Sequence, residues 1–131
     1  MPGNNYPDIF GAESIVSWFG EWPTFHDAEI LELYLNRQWF SRLTLNAWLT
    51  SKETYEKNGD QYFRKKRGAV ITFRFAEILD LQLADFSNQN VISSLSVEQK
   101  SGAHRLTLSP CYGINGNIEA RGLSVELVPE K

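Results

Sequence analysis

The chain has 131 residues, 42% of them hydrophobic, which is material for one compact domain with one core and too little length for two ordinary ones. Thirteen basic against 16 acidic side chains leave a net charge of −3, a balance that advertises neither a nucleic-acid nor an anionic-membrane partner and tolerates a basic protein one. The single cysteine, Cys111, can form no disulfide within the chain, the opening Met1-Pro2-Gly3-Asn4-Asn5 has no basic or apolar region of a secretory signal, and charged or amide residues break every apolar run well short of the roughly 20 residues that span a bilayer. The expectation is a soluble, cytoplasmic protein, one domain over residues 1–131 with residues 1–7 flexible.

The first element is a helix from Asp8 to Phe19, with Asp8 as N-cap after Pro7, Ala12, Ile15, Val16 and Phe19 at helical spacing, and Gly20 as the stop. Trp22-Pro23-Thr24-Phe25-His26-Asp27-Ala28-Glu29-Ile30 follows. Pro23 cannot continue a helix and pushes Trp22 towards extended backbone, so this run joins helix to sheet. From Leu31 the period changes to two, with Leu31, Leu33 and Leu35 predicted on one face and Ile30, Glu32, Tyr34 and Asn36 on the other. Leu43, Leu45, Ala47 and Leu49 repeat the pattern after a polar turn, with Trp48 on the opposite face. The polar stretch Ser51 to Gly68 reverses at Asn58-Gly59, a pair suited to the positive dihedrals of a tight hairpin, and reads as a protruding tip.

Two strands are then expected at Ile71 to Phe75 and Leu79 to Leu83, and further ones around Val91 to Val97, Leu106 to Leu108 and Leu123 to Leu127, with turns at Lys100-Ser101-Gly102 and Gly113 to Asn117. One helix followed by short-looped strands defines an α+β fold, a helix packed on a curved, mainly antiparallel sheet. A meander and a partly closed barrel are equally compatible with that pattern.

The candidate chemistry is thin. His26-Asp27 pairs an imidazole with a carboxylate, but two neighbours on a strand point to opposite faces, and His104 is the only other histidine. No metal site, catalytic set or cofactor follows. Cys111, with no histidine near it in sequence, reads as a buried inert thiol. The cations Arg64-Lys65-Lys66-Arg67 lie across the hairpin from Glu53, Glu56 and Asp60, which favours cross-strand pairing over phosphate binding. Trp39-Phe40 at a turn and Trp48 off the leucine row are the aromatic residues left to act as binding anchors, with self-association into a homodimer through Trp48 as the competing use.

The run Trp22 to Ile30, together with Tyr62-Phe63-Arg64-Lys65, Val70-Ile71-Thr72-Phe73-Arg74-Phe75, Phe86-Ser87-Asn88-Gln89-Asn90-Val91 and Tyr112-Gly113-Ile114-Asn115-Gly116, resembles the Imm50 family of bacterial immunity proteins over about residues 19 to 129. The resemblance implies a protein that is not an enzyme. Its partner would be a co-encoded polymorphic toxin domain, neutralised by stoichiometric binding. It also makes Trp22, Pro23, Phe25, His26, Asp27 and Glu29 family-motif residues, read as architectural. From expected exposure, Trp39, Trp48 and Tyr55 are the candidate anchors and Glu53, Glu56, Asp60 and Asp80 the candidate charges for that partner. The rival reading is a small ligand-binding or enzymatic domain with a pocket near Trp22, His26 and Asp27.

Overall fold

The computed structural model describes residues 6–130, and for 50–55 and 62–66 the backbone alone. Its one helix, α1, covers Ala12–Phe19, later than the expected start at Asp8. Residues before it are committed elsewhere: Phe10 bridges to Ser124, and the Val125 N–H donates to the Phe10 carbonyl at 2.9 Å. Gly11 then turns into the helix at φ 93, where a Cβ would overlap the Val125 carbonyl oxygen. Gly11 is thus the N-cap, without a side-chain cap bond, and Asp8 lies three residues too early to serve as one. Gly20 ends the helix as expected, left-handed at φ 88, with its N–H on the Val16 carbonyl at 2.7 Å. Ala12, Ile15 and Phe19 are the buried face. Trp18 is tied across to the sheet: Arg67 lies 3.6 Å over its ring, its Nε1 donates to the Arg67 carbonyl, and the Arg67 Nε donates back to the Trp18 carbonyl. Arg67 thus leaves the ribbon of paired charges expected for the basic run. Residues 6 and 7, expected to be flexible with 1–5, are placed: Tyr6 packs on the core and the Pro7 carbonyl accepts the Ile9 N–H.

The strands are β1 (Glu29–Tyr34), β2 (Ser41–Lys57), β3 (Asp60–Ala84), β4 (Val91–Lys100), β5 (Ala103–Tyr112) and β6 (Asn115–Pro129). All strand pairs are antiparallel, in the ring order β1-β2-β3-β6-β5-β4. This is two three-stranded meanders joined through β3 and β6. The ring is uneven. β3 and β6 share a ladder from Ala69↔Pro129 to Ala84↔Asn115, whereas β1 meets β4 only at Glu29↔Val91. The core fills the ring from every side, with Leu43, Leu45, Ile71, Phe73, Phe75, Ile92, Leu106 and Ile118 all at 1% exposure or less.

Two expectations about the strands are corrected. The rows at Ile71–Phe75 and Leu79–Leu83 belong to one 25-residue strand, β3. It bends without losing its ladder to β6, because Glu77 takes a positive φ of 59 and a bulge lies between Ile78 and Asp80. In β1 a bulge between Ile30 and Glu32 shifts the phase, so Ile30 is buried while Leu31 and Leu35 are about half exposed. One inserted residue moves a strand's apolar set to the other face. The Asn58-Gly59 turn is as expected, at φ 53 and 84. Beyond Ala69 the strand β3 has no β6 partner, so the β2–β3 hairpin continues as a two-stranded ribbon to its tip.

The segment before β1 closes the ring. Leu95 N–H donates to the Thr24 carbonyl, Asp27 N–H to Ile92, Ile92 N–H to Ala28, and Ile30 N–H to Asn90, all between 2.8 and 3.0 Å. Asn90, a buried polar side chain, holds the far side of this seam: its Oδ1 accepts the N–H groups of Ser87 and Ile114, both at 2.9 Å, and its Nδ2 donates to the Ser87 carbonyl. Gly113 sits so close that a Cβ there would come within 2.6 Å of the Asn90 Oδ1. Inside the seam Phe25 packs edge-on against Trp22 and Phe73, with centroids 5.6 and 6.1 Å away. Phe25→Ala is expected to cost about 3–5 kcal/mol, and Asn90→Ala about 1–3 kcal/mol for each buried N–H it orphans. Urea unfolding of the two variants checks both, and a loss below 1 kcal/mol in either would remove the seam from its central place.

Candidate functional site

The motif residues divide cleanly between inside and outside. Trp22 is half-buried and Phe25 buried, while His26 and Asp27 occupy the turn before β1 with their side chains in solvent. His26 and Asp27 therefore lie in the joint between helix and strand, two residues short of β1. Phe25 and Asp27 both hold a left-handed backbone, φ 63 and 66, which lets the chain pivot tightly between its bonds to Leu95 and Ile92. His26 Nδ1 lies 3.2 Å from the Ser93 carbonyl and Nε2 lies 3.5 Å from Asp27 Oδ2. Because both rims of this contact are wet, its worth is small.

Removing the His26 ring is accordingly expected to shift stability by less than about 1 kcal/mol. Asp27→Gly should leave the melting temperature unchanged or slightly raised, since glycine meets the positive φ without cost. A fall of several degrees in either variant, read by calorimetry, would show a tighter role than the exposed geometry gives.

Trp22 and His26 line one surface hollow of about 430 Å³, with Trp48 and Leu49 on its other side. Asp27 and Glu29 line a separate one of about 330 Å³, with Trp48, Gln89 and Tyr112. Trp48, half-buried and set outward between inward-facing Ala47 and its neighbours, stands between the two. The pocket expected to unite Trp22, His26 and Asp27 is thus split, and no single concavity brings the imidazole and carboxylate to bear on one ligand. Among the described residues no three His, Cys, Asp or Glu side chains stand together as a metal would need. Cys111 is exposed, which corrects the buried thiol. It falls at the distal end of β5, where β5 has run past its ladder with β6.

The remaining candidates are scattered. Glu56 and Asp60 are exposed at the tip of the ribbon, Asp80 is exposed on β3, and Trp39 is 73% exposed in the β1–β2 turn. The side chains of Glu53 and Tyr55 lie outside the described residues.

One further concavity was missed in the sequence. It is a groove of about 510 Å³ between the β1–β2 turn and the upper half of β3, with Leu35 and Trp39 on one wall and Phe75, Ile78 and Leu81 on the other. It exists because β2 begins at Ser41, opposite Phe75, while β3 runs on to Ala84. From Ala76 to Ala84, nine residues, β3 is laddered to β6 on one side and, among the described residues, to nothing on the other. Leu81 pairs with buried Ile118 and so faces inward, yet it is 37% exposed. No local sequence signal marked it, because the mismatch in length arises only when the β6 ladder joins the rows at Ile71–Phe75 and Leu79–Leu83 into one strand longer than β2.

The class of protein is fixed by comparison. The family model Immunity protein 50, Imm50, matches residues 11–129, and the chain belongs to that family. No curated protein and no solved structure matches it. No helix among the described residues is long and apolar enough to cross a membrane.

Proposed function

We propose that this protein binds and neutralises a toxin domain encoded beside it, as a stoichiometric inhibitor acting in the cytoplasm of the producing cell. Membership of an immunity-protein family over nearly the whole chain carries the reading. The surface is in keeping with it. Large apolar side chains stay exposed at Trp39, Phe40, Leu79 and Leu81, and contiguous apolar surface is what protein interfaces use. Trp39 sits edge-on to Phe40 at 5.4 Å, a rigid aromatic pair of the sort that anchors interfaces at low entropic cost.

An inhibitor either covers an active site or locks an inactive conformation, and a stable interface of either kind buries about 1,600 Å². It needs no catalytic residues of its own. Binding would be steered by the exposed carboxylates at Glu56, Asp60 and Asp80 and held by desolvated aromatic rings, with Trp39 better placed than half-buried Trp48. A small-molecule or enzymatic function near Trp22, His26 and Asp27 loses ground because Asp27 lines a different hollow from the one that Trp22 and His26 share.

Co-expression with the C-terminal domain of the protein encoded immediately upstream should rescue growth and yield a one-to-one complex on light scattering. Glu56→Lys with Asp60→Lys should slow association more than it speeds dissociation, with the difference shrinking at high salt. Rescue without a complex, or turnover of a small molecule by the isolated chain, would overturn the inhibitor reading.

A further inference from the structure

We infer that the open edge of β3, Ala76 to Ala84, receives an extended segment of the toxin as an added strand, with one large apolar side chain of that segment seated in the groove between Leu35, Trp39, Ile78 and Leu81. The inference rests on the immunity reading and gives it a place and a mode.

The first ground is main-chain chemistry. Along this edge β3 shows a row of backbone donors and acceptors with no partner on the β2 side, beside an apolar groove of about 510 Å³. An extended peptide satisfies such a row directly, while alternate side chains drop into the neighbouring pocket. Nine residues at about 3.3 Å each give an edge of roughly 30 Å, as long as an ordinary strand or longer. Proteins that keep an edge strand private place lysine or proline on it. This edge has neither, and its protection is limited to the charges of Glu77 and Asp80 and one bulge. Its bulge between Ile78 and Asp80 interrupts flat pairing at one point and would make the edge selective.

Charge says which occupant fits. Asp80 pairs across the ladder with Glu119, two carboxylates side by side on the outer face. Arg105 serves Glu119 at 3.0 Å, and among the described residues Asp80 has only the Gln82 amide at 3.1 Å and Asp85, at the end of the strand, only the Asn115 amide. A cation on a strand added beside Asp80 would relieve this like-charge pair from its open side. On the opposite wall Arg37 lines the groove with no ion-pair partner among the described residues. The occupant is therefore an extended segment that alternates apolar side chains towards Leu81 with basic ones beside Asp80 and ends on a carboxylate near Arg37. A second copy of this chain fits badly. The stretch Ala76 to Ala84 carries Glu77 and Asp80 and no Lys or Arg, so pairing edge to edge would bring acid to acid.

The test is amide hydrogen exchange by NMR on the isolated chain and on its complex with the upstream C-terminal domain. In the free protein, alternate amides of Ala76 to Ala84 should be protected by the β6 ladder and the others should exchange freely. In the complex the free set should slow by at least tenfold, while the ribbon tip at Asn58-Gly59 stays unchanged. Leu81→Lys, a substitution at a partly exposed position, should keep the melting temperature within a few degrees and weaken the complex at least tenfold. A complex that forms without protecting this edge, or that tolerates Leu81→Lys, would overturn the strand-addition mode and leave the immunity reading standing. No complex at all would remove both, and an isolated chain that is dimeric with the whole edge protected would assign the edge to a second copy.

Discussion

Everything in this molecule depends on closing a ring of strands whose two ends, β1 and β4, barely overlap. Glu29↔Val91 is the one strand register they share, so the bond count of an ordinary ladder is not available. The chain solves this with the segment that leads into β1, which lies along β4 from Leu95 to Asn90 and takes up the main-chain groups that a short strand would leave bare. A buried N–H or C=O left unpaired costs as much as a lost hydrogen bond or more. The seam is therefore what allows Ile92 and Leu95 to be buried at all. Its geometry demands two non-glycine residues in a left-handed backbone, Phe25 and Asp27, and that strain is carried by burying the Phe25 ring against Trp22 and Phe73.

The division between buried and exposed motif residues follows from the same pivot. A chain that turns twice within a few residues does not alternate its side chains as a strand does: Phe25 and Ala28 go inward, and His26 and Asp27 between them go outward. An adjacent His-Asp pair invites a reading in terms of proton transfer. Here the neighbouring backbone explains the placement without one, and His26 meets a carbonyl on the strand it helps to close.

How much of this could be read from the chain depends on the range of the interaction. Local signals survived well. Gly20 ended the helix, Asn58-Gly59 turned the long hairpin, and the period-two rows of β2 and of β3 up to Phe75 buried the residues they pointed to. Three features failed for one physical reason: each depends on a contact distant in sequence. Asp8 lost its cap because Phe10 is held by Ser124 and Val125; Leu31 and Leu35 came out because β1 bulges against β2; and the rows at Ile71–Phe75 and Leu79–Leu83 became one strand because the β6 ladder carries β3 through its bend. Asn90 was legible only as one polar residue in a polar run. Nothing local announces that its oxygen serves the amides of Ser87 and Ile114, 24 residues beyond it for the latter.

The same length mismatch that makes the fold awkward gives it its open surface. β3 is 25 residues and β2 only 17, and the pair is aligned at the hairpin end by Asn58-Gly59, so the surplus of β3 must emerge at the other end. β6 covers one side of that surplus and the β1–β2 turn stops short of the other. Closing the turn over the edge would require a longer β2 or a retreat of Trp39 from solvent. Neither occurs, and a 73% exposed tryptophan beside an unpaired strand edge is a standing cost in solubility and aggregation risk. A fold is expected to shed such a liability unless the surface is used. On that reasoning the edge and the groove are the surface the fold leaves for the inferred strand addition, and the seam on the far side of β1 closes the ring that carries them.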